Sequence, residues 1–397
     1  MTTKHSLGTL LAKKRLISAR LENILGESRA KAVSRDFHAR RKPRPCGLTI
    51  HSVWGCTGRC VYCYIPDMGV SFNEARPYAL SPEEISYAVV LNKYFLPGRW
   101  GTYLAVGSIG EPFHPLGAKR TVEYIAAFFR YLGNPVQFST KMLTPVVAKQ
   151  LARFKGKPLS PLITIVKLHD WRRLEPGVMP PDVRFEAIKA LRQVGLYPIL
   201  FLRPLIPGIN TDEVDEILRR AKESGAVAVV IGGFRVTPDI LLRLEKAGLD
   251  TSEIRRRIPV KHLQKGVQVP VRMRDIKEEV ASLAREHGLV PLYSACCAAT
   301  LASYLSTGVR ASCAGLCFIK GFCAKCPVKC WEVKIEVDEE DLIRQLRGAG
   351  ISARDVNVEE YKIIVKTDKP RRAINKLRRS PLRVLIETAF RRRLEVG

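Results

Sequence analysis

Cys56, Cys60 and Cys63 lie in the stretch GCTGRCVYCYIP, residues 55–66, spaced C-x3-C-x2-C with Tyr62 just before the last thiol. Three thiols this close cannot all pair with one another, and so tight a loop is an awkward frame for even one disulfide. A partner with several coordination positions accounts for the pattern better. Two chemistries stay open. Zinc needs a fourth protein ligand, and the near candidates are Cys46 and His51. A 4Fe-4S cluster needs only three thiolates and leaves its fourth iron open, which turns it from an electron carrier into a reagent.

A second group follows far along the chain. Cys313, Cys317, Cys323, Cys326 and Cys330 crowd into residues 313–330, with the adjacent Cys296 and Cys297 upstream. Such density signals metal binding. If the first loop holds an iron-sulfur cluster, an auxiliary iron-sulfur cluster is favoured over zinc here, because the protein would already draw on an iron-sulfur supply.

These thiols need a frame, and the chain from Leu48 to Gly233 supplies a repeating one. Six short β-branched or apolar runs (LTIHSV, TYLAVG, VQFST, LITIVKL, YPILFL, AVAVVIGG) alternate with helical stretches such as SPEEISYAVVLNKYF and DVRFEAIKALRQV. Chain long enough for a helix between successive strands predicts parallel strands with crossover helices. The fold class expected is α/β, a partial (β/α)6 TIM-type barrel. Polar and glycine-rich motifs (GSIGEP, STK, KLHDW, RPLIPGIN) fall at the strand ends, the edge that carries active sites in such folds.

Four segments are expected: a basic N-terminal extension over 1–45, the partial barrel over 46–235, a basic helical region ending in the cysteine-rich segment over 236–330, and a small basic α+β domain over 331–397. The first has apolar residues at helical spacing from Leu7 to Leu25 with basic residues opposite. Such a helix can lie on nucleic acid, on an anionic membrane or on the protein's own core.

The chain of 397 residues carries 66 Lys and Arg against 38 Asp and Glu, a net +28. The excess is concentrated in residues 1–45, 234–276 and 366–397, which contribute +9, +5 and +8. Localised charge of this kind points to a polyanionic partner. No apolar run approaches the roughly 18 residues of a membrane helix. Lys13, Lys14 and Arg15 interrupt what would be the apolar core of a signal peptide. A cytoplasmic, reducing location follows as the expectation, with the eleven cysteines read as ligands or reactive thiols before disulfides.

The cysteine loop directly after the first strand of a six-strand α/β pattern resembles the radical S-adenosylmethionine (SAM) superfamily. Within it, CVYCYIP, GSIGEPFHPLGAKRT, STK, LEPGVMPPDVRFEAIKALRQVGL and LRPLIPGIN are similar to the spore photoproduct lyase-like branch, a likeness covering about residues 41–235. The resemblance implies that Cys56, Cys60 and Cys63 bind a 4Fe-4S cluster whose open iron is chelated by SAM. Reductive cleavage of SAM would then give a 5'-deoxyadenosyl radical, with an electron donor such as ferredoxin or flavodoxin as partner.

The same resemblance assigns Gly110 and Glu111 to the SAM ammonium, Lys141 to its carboxylate, Ile206 and Gly208 to adenine and ribose, and Tyr62 to covering the adenine. Arg203, Asn210, His114 and His169 fall on the same edge, where turn, packing or structural roles compete with substrate contact. One departure matters. Spore photoproduct lyases carry a hydrogen-donating cysteine after the second strand, where this chain reads Gly107-Ser108-Ile109. Serine is a poor hydrogen donor to a carbon radical because its O–H bond is stronger than S–H, so repair of the spore lesion by that route is not expected. Cys296 and Cys297 are read as buried structural cysteines, with a hydrogen-donating thiol as the alternative for one of them.

The function expected is therefore a radical SAM enzyme, lyase or nucleic-acid-modifying, acting on DNA in repair or on RNA in modification, with Cys313, Cys317, Cys323, Cys326 and Cys330 serving a second metal. Two alternatives stay open: a radical SAM enzyme that modifies a protein or peptide, and a non-catalytic metal-stabilised nucleic-acid-binding protein.

Overall fold

The computed structural model describes residues 4–43, 47–310, 326–333 and 335–397. The chain opens with α1 (Leu7–Leu25), capped by the Ser6 side chain, which accepts from Thr9 N. Then β1 (Leu48–Ile50), α2 (Pro82–Leu91), β2 (Leu104–Val106), α3 (Ala118–Ala127), β3 (Val136–Thr140) and β4 (Leu159–Thr164) alternate as expected. The pattern continues through α4 (Pro181–Gln193), β5 (Ile199–Leu202), α5 (Val214–Glu223) and β6 (Ala228–Ile231). Its helices start where the local chemistry favours it: Ser81 and Glu84 close a capping box on α2, with Pro82 in its first turn.

The sheet has seven strands, one more than expected. After α6 (Pro238–Lys246) and α7 (Arg274–Glu286) comes β7 (Val290–Leu292), which pairs parallel with β6, Val290 opposite Ala228. A three-residue strand containing Pro291 has too little alternation to be read inside a helical stretch, and its edge position is what tolerates the proline. The strand order is strictly sequential from β1 to β7, and every pairing in the sheet is parallel. The described pairings do not join β1 to β7, so the barrel is open.

Period-two alternation divides the sheet between two cores. Ile163, Leu200, Val229 and Ile231 pack into the main core under the helices. Their neighbours Leu162, Ile199, Ala228 and Val230 point to the other face, where Ala298, Leu301 and Ala302 of α8 (Ala295–Thr307) cover them. Helix α8 thus fills the concave side of the open sheet. Its start is held by Gln137 of β3, whose Nε2 donates to Ala295 O at 2.7 Å.

The C-terminal segment continues with α9 (Glu339–Gly348), β8 (Ala353–Val358), β9 (Lys362–Thr367), α10 (Pro370–Arg379), α11 (Leu382–Phe390) and β10 (Arg393–Val396). Strands order β8-β9-β10, antiparallel then parallel. The tail of the expected α+β domain is two helices and a closing strand. Leu342, Leu346, Val356, Ile363, Val365 and Phe390 build a second core there.

Helix α1 belongs to both cores. Leu21 is buried in the first and Leu7 in the second, while Asp341 of α9 accepts from Gly8 N at 2.8 Å. Each fully buried leucine stabilises by about 1.5–3 kcal/mol. Of the three surfaces open to this helix from its sequence, the protein's own core is the one it occupies.

Candidate active site

The loop after β1 is held from three sides. Gly110, after β2, forms a parallel bridge with Gly55. A Cβ on Gly110 would meet Val53 O at 2.5 Å, so this approach requires glycine. Gly177 closes on the loop from the segment before α4: its N–H donates to Gly58 O at 3.0 Å, and a Cβ there would meet Thr57 O at 2.2 Å. From α6, Arg243 donates to Val61 O at 3.1 Å and Cys63 O at 2.6 Å, and its guanidinium lies 3.3 Å from Asp67. Sequence reasoning counted Arg243 among charges meant for a polyanion. It is an internal clamp on the cysteine loop, and nothing local in the sequence marks it as one.

A cavity of about 340 Å³ opens at the C-terminal ends of the strands. Cys56, Cys60 and Cys63 line it together, with Tyr62, Gly110, Glu111 and Lys141. Seven of the nine residues assigned to the cluster and SAM thus share one wall system. The other two do not line it. Ile206 is packed in the main core, and Gly208 is exposed beyond it with φ +73°. The end of β5 reaches the cavity earlier in the chain, through Phe201, Arg203 and Pro204.

Burial pushes the Cys56 thiol up to about 11, with the Glu111 carboxylate adding to the shift. Burial likewise raises the Cys60 and Cys63 thiols. Gly58 N donates to Cys56 Sγ at 3.2 Å. Against Lys141 burial works the other way, favouring the neutral amine. Its ionisable neighbours, Cys60, Glu175, Glu111 and Cys63, outweigh that and hold its ammonium above the ordinary value. Its Nζ stands 5.7 Å from the centre of the Tyr62 ring, a cation–π distance.

Glu111 is fixed by three donors. Thr140 Oγ1 and Phe113 N reach Oε1, the latter at 3.1 Å, and Lys141 N reaches Oε2 at 2.9 Å. Burial raises this carboxyl, and the bonds from Thr140 and Lys141 oppose the shift. Behind Tyr62 lies a pair that sequence reasoning missed. The Tyr62 hydroxyl donates to Glu175, whose second oxygen is 2.6 Å from Arg184 Nη1. Glu175 and Arg184 are both fully buried. LEPGV and the start of α4 bear no local sign of a buried ion pair.

The other edge residues sort by geometry. Ser108 lines the cavity where the lyase-like pattern has cysteine; its buried Oγ finds no hydrogen-bond partner among the described residues. Tyr64 also lines the cavity and donates to Ser108 O at 2.7 Å. His114 bonds the cysteine loop itself, Nε2 to Thr57 Oγ1 at 3.0 Å, and His169 is exposed beside Glu216. Asn210 closes its own turn, accepting from Ile206 N at 2.7 Å.

His51, a near candidate for a fourth zinc ligand, does not line the cavity. Its ring stacks on Phe37 at 5.5 Å between centroids and meets His38 edge-on at 4.9 Å. Cys46 lies outside the described residues. Among the described residues, no three His, Cys, Asp or Glu side chains converge on a single metal ion. Three thiols lining one cavity of about 340 Å³ leave room for a multinuclear group, and the donor set fits a 4Fe-4S cluster.

Of the second cysteine group, Cys313, Cys317 and Cys323 lie outside the described residues. Cys326 and Cys330 are half-buried, joined by a turn in which Lys329 N donates to Cys326 O at 3.2 Å. Both pack on the apolar cluster under α8, as does Cys297. Cys296 is buried against Tyr103 and Ala299, with its Sγ 2.7 Å from Ser294 Oγ. Neither Cys296 nor Cys297 lines the cavity.

Comparison with known proteins bears on this arrangement. Residues 52–221 match the model of the Radical SAM superfamily. A protein of Pseudomonas phage M6, "Radical SAM Nalpha-GlyT isomerase", is 25% identical over 200 residues, 48% of this chain and 41% of that one. The match thus spans well under half of that relative. Among solved structures, a spore photoproduct lyase mutant superposes with a TM-score of 0.51 at 19% identity, covering 64% of this chain and 78% of the lyase. The lyase complexed with a dinucleoside spore photoproduct gives 0.51 at 18% identity, covering 67% and 84%. At these identities the lyases share the fold.

Proposed function

We propose that this chain, whose residues 52–221 match the radical SAM superfamily model, is a radical SAM enzyme that cleaves SAM reductively and acts on a nucleic acid. The observation that carries the first half is the meeting of Cys56, Cys60 and Cys63 with Glu111 and Lys141 around one cavity. Cys56, Cys60 and Cys63 would hold the 4Fe-4S cluster, which with SAM bound supplies one-electron cleavage of the sulfonium and a carbon radical that abstracts hydrogen.

The chain's own residues bind and orient. Lys141 offers a fixed positive charge to a carboxylate, and Glu111, locked by its three donors, offers an anionic oxygen to an ammonium. Tyr62, held by Glu175, presents a ring to the cofactor side of the cavity. Ile206 and Gly208 take no part in this reading, and Phe201 and Arg203 stand in their place. Arg243, Gly110 and Gly177 keep the loop in register.

The nucleic-acid half rests on charge and on size. A net +28, of which +22 lies in three segments, favours a polyanion. A cavity of about 340 Å³ takes a small molecule, so a polymer would present one extruded unit at the mouth. The lyase that shares this fold has been solved with a dinucleoside spore photoproduct, a nucleic-acid ligand, and nucleic acid is the substrate class proposed. A second metal held by cysteines of 313–330, the four-segment organisation and an external one-electron donor belong to the same proposal.

The test uses anaerobically purified full-length chain, reduced with dithionite and incubated with SAM and with total DNA or RNA. Formation of 5'-deoxyadenosine together with a new nucleoside by mass spectrometry is expected. No SAM cleavage with a full complement of iron overturns the radical half. Cleavage of SAM with no binding of DNA or RNA at about 0.2 M salt, where phosphate contacts still act, overturns the nucleic-acid half.

A further inference from the structure

We propose that α10 is the surface by which this protein grips the phosphate backbone of its nucleic-acid substrate; the inference rests on the reading above and locates its binding face. The sequence PRRAINKLRR contains no acidic residue. Arg371, Arg372, Arg378 and Arg379 are exposed, while Ala373 and Leu377 are buried against the second core. At 100° per residue the four arginines fall within one third of the helix circumference, opposite the buried pair. Residues 371 and 378 stand two turns apart, roughly 10 Å along the axis.

The four guanidiniums, and the Lys369 ammonium beside them, make no ion pair or hydrogen bond among the described residues. Other cations of the same domain do: Arg354 pairs with Asp368 at 2.7 Å, Lys366 with Asp355 at 2.8 Å, and Arg383 with Glu387 at 3.1 Å. In the basic stretch 234–276 half of the cations are paired, among them Arg255 with Glu245, Arg257 with Glu253 and Arg243 on the cysteine loop. Within 366–397 the unpaired charge concentrates on α10, where four arginines share one face.

Its placement also opposes helix stability. Arg371 and Arg372 occupy the first turn, where the macrodipole disfavours cations, and Arg372 faces Lys376 at i,i+4 as a like charge. By contrast α2, α5 and α9 carry two or three acidic residues in the first turn. A polyanion lying along the helix removes both penalties. DNA offers one negative charge per about 1.7 Å of duplex axis, so several phosphates lie within the span of the two arginine pairs.

The test is the salt dependence of binding by the full chain carrying Arg371→Gln, Arg372→Gln, Arg378→Gln and Arg379→Gln together, measured on a fluorescent duplex and its single strand. Relative to wild type, the slope of log K against log salt should fall by up to about 3.6 on duplex or 2.8 on single strand, at about 0.9 or 0.7 per contact. Affinity should drop at least tenfold whatever the base sequence, while 5'-deoxyadenosine formation without nucleic acid stays unchanged. A control with Arg354→Gln and Lys366→Gln, both ion-paired, should move the slope by less than one. Slopes and affinities equal to wild type overturn the inference and leave the proposed function intact. Wild type that cleaves SAM but binds no nucleic acid overturns the reading beneath it, and binding only to phosphatidylserine vesicles overturns both.

Discussion

Arg184 Nη1 stands 2.6 Å from Glu175 Oε2 with both side chains withdrawn from water, and the other oxygen of that carboxylate takes the hydroxyl of Tyr62. The pair ties the start of α4 to the cysteine loop. Arg184 also holds Thr164 O at 3.0 Å and Met179 O at 2.7 Å. It is scaffold one residue removed from the cavity wall.

Breaking the pair on one side leaves a buried charge alone. Glu175→Ala is expected to cost about 3–5 kcal/mol, measured by denaturant unfolding, whereas Glu175→Leu with Arg184→Met together should cost less than the sum of the single changes. Additive losses would show that the two groups do not act on each other.

Replacing Cys56, Cys60 and Cys63 by alanine should remove about four irons per chain, the content of one 4Fe-4S cluster. Iron and sulfide assay with Mössbauer spectra reads this directly. If the wild type holds about eight irons and the variant about four, the cysteines of 313–330 hold a second cluster. Zinc without iron would return the loop to its other chemistry.

Gly110→Ala forces a Cβ to 2.5 Å from Val53 O and 2.8 Å from Gly55 O, both backbone atoms that cannot swing away. Overpacking of this kind costs about 1–3 kcal/mol, or 10- to 100-fold in SAM affinity if it falls on the site. Calorimetric titration of SAM into the reconstituted variant checks this. Unchanged affinity would mean that the loop can shift without loss.

His51 gives a pH dependence. Burial, with His38 and then Arg41 nearby, lowers its imidazole to about 3, while Asp36 opposes. The unfolded chain takes up a proton near pH 6.5, and the folded chain does not until near 3. Stability is therefore full above about 6.5 and lost as pH falls through that window, at up to about 1.4 kcal/mol per pH unit. His51→Phe, on a ring already stacked against Phe37, should flatten this limb in thermal melts between pH 4 and 6.5. An unchanged slope would assign the acid limb to other groups.

Sequence alone determined the features that are local: three cysteines in one short loop, six of the seven strands, the crossover helices with their caps, and the strand-end motifs that gather at one edge. Each follows from backbone periodicity or from residues a few positions apart, which hydrogen bonding and side-chain direction convert directly into structure. Only the tertiary structure decided what depends on distant partners. Val290–Leu292 became a seventh strand because the edge of β6 was open to it, and α8 filled the concave face because Leu162, Ile199 and Val230 needed cover. Ile206 went to the core and Gly208 outward, since the chain leaves the cavity wall at Pro204. Among the cations, Arg243 and Arg184 turned inward while Arg371 and Arg378 remained outside. A charge in a sequence has no sign of its partner, because ion pairs form between residues that only folding brings within a few ångströms.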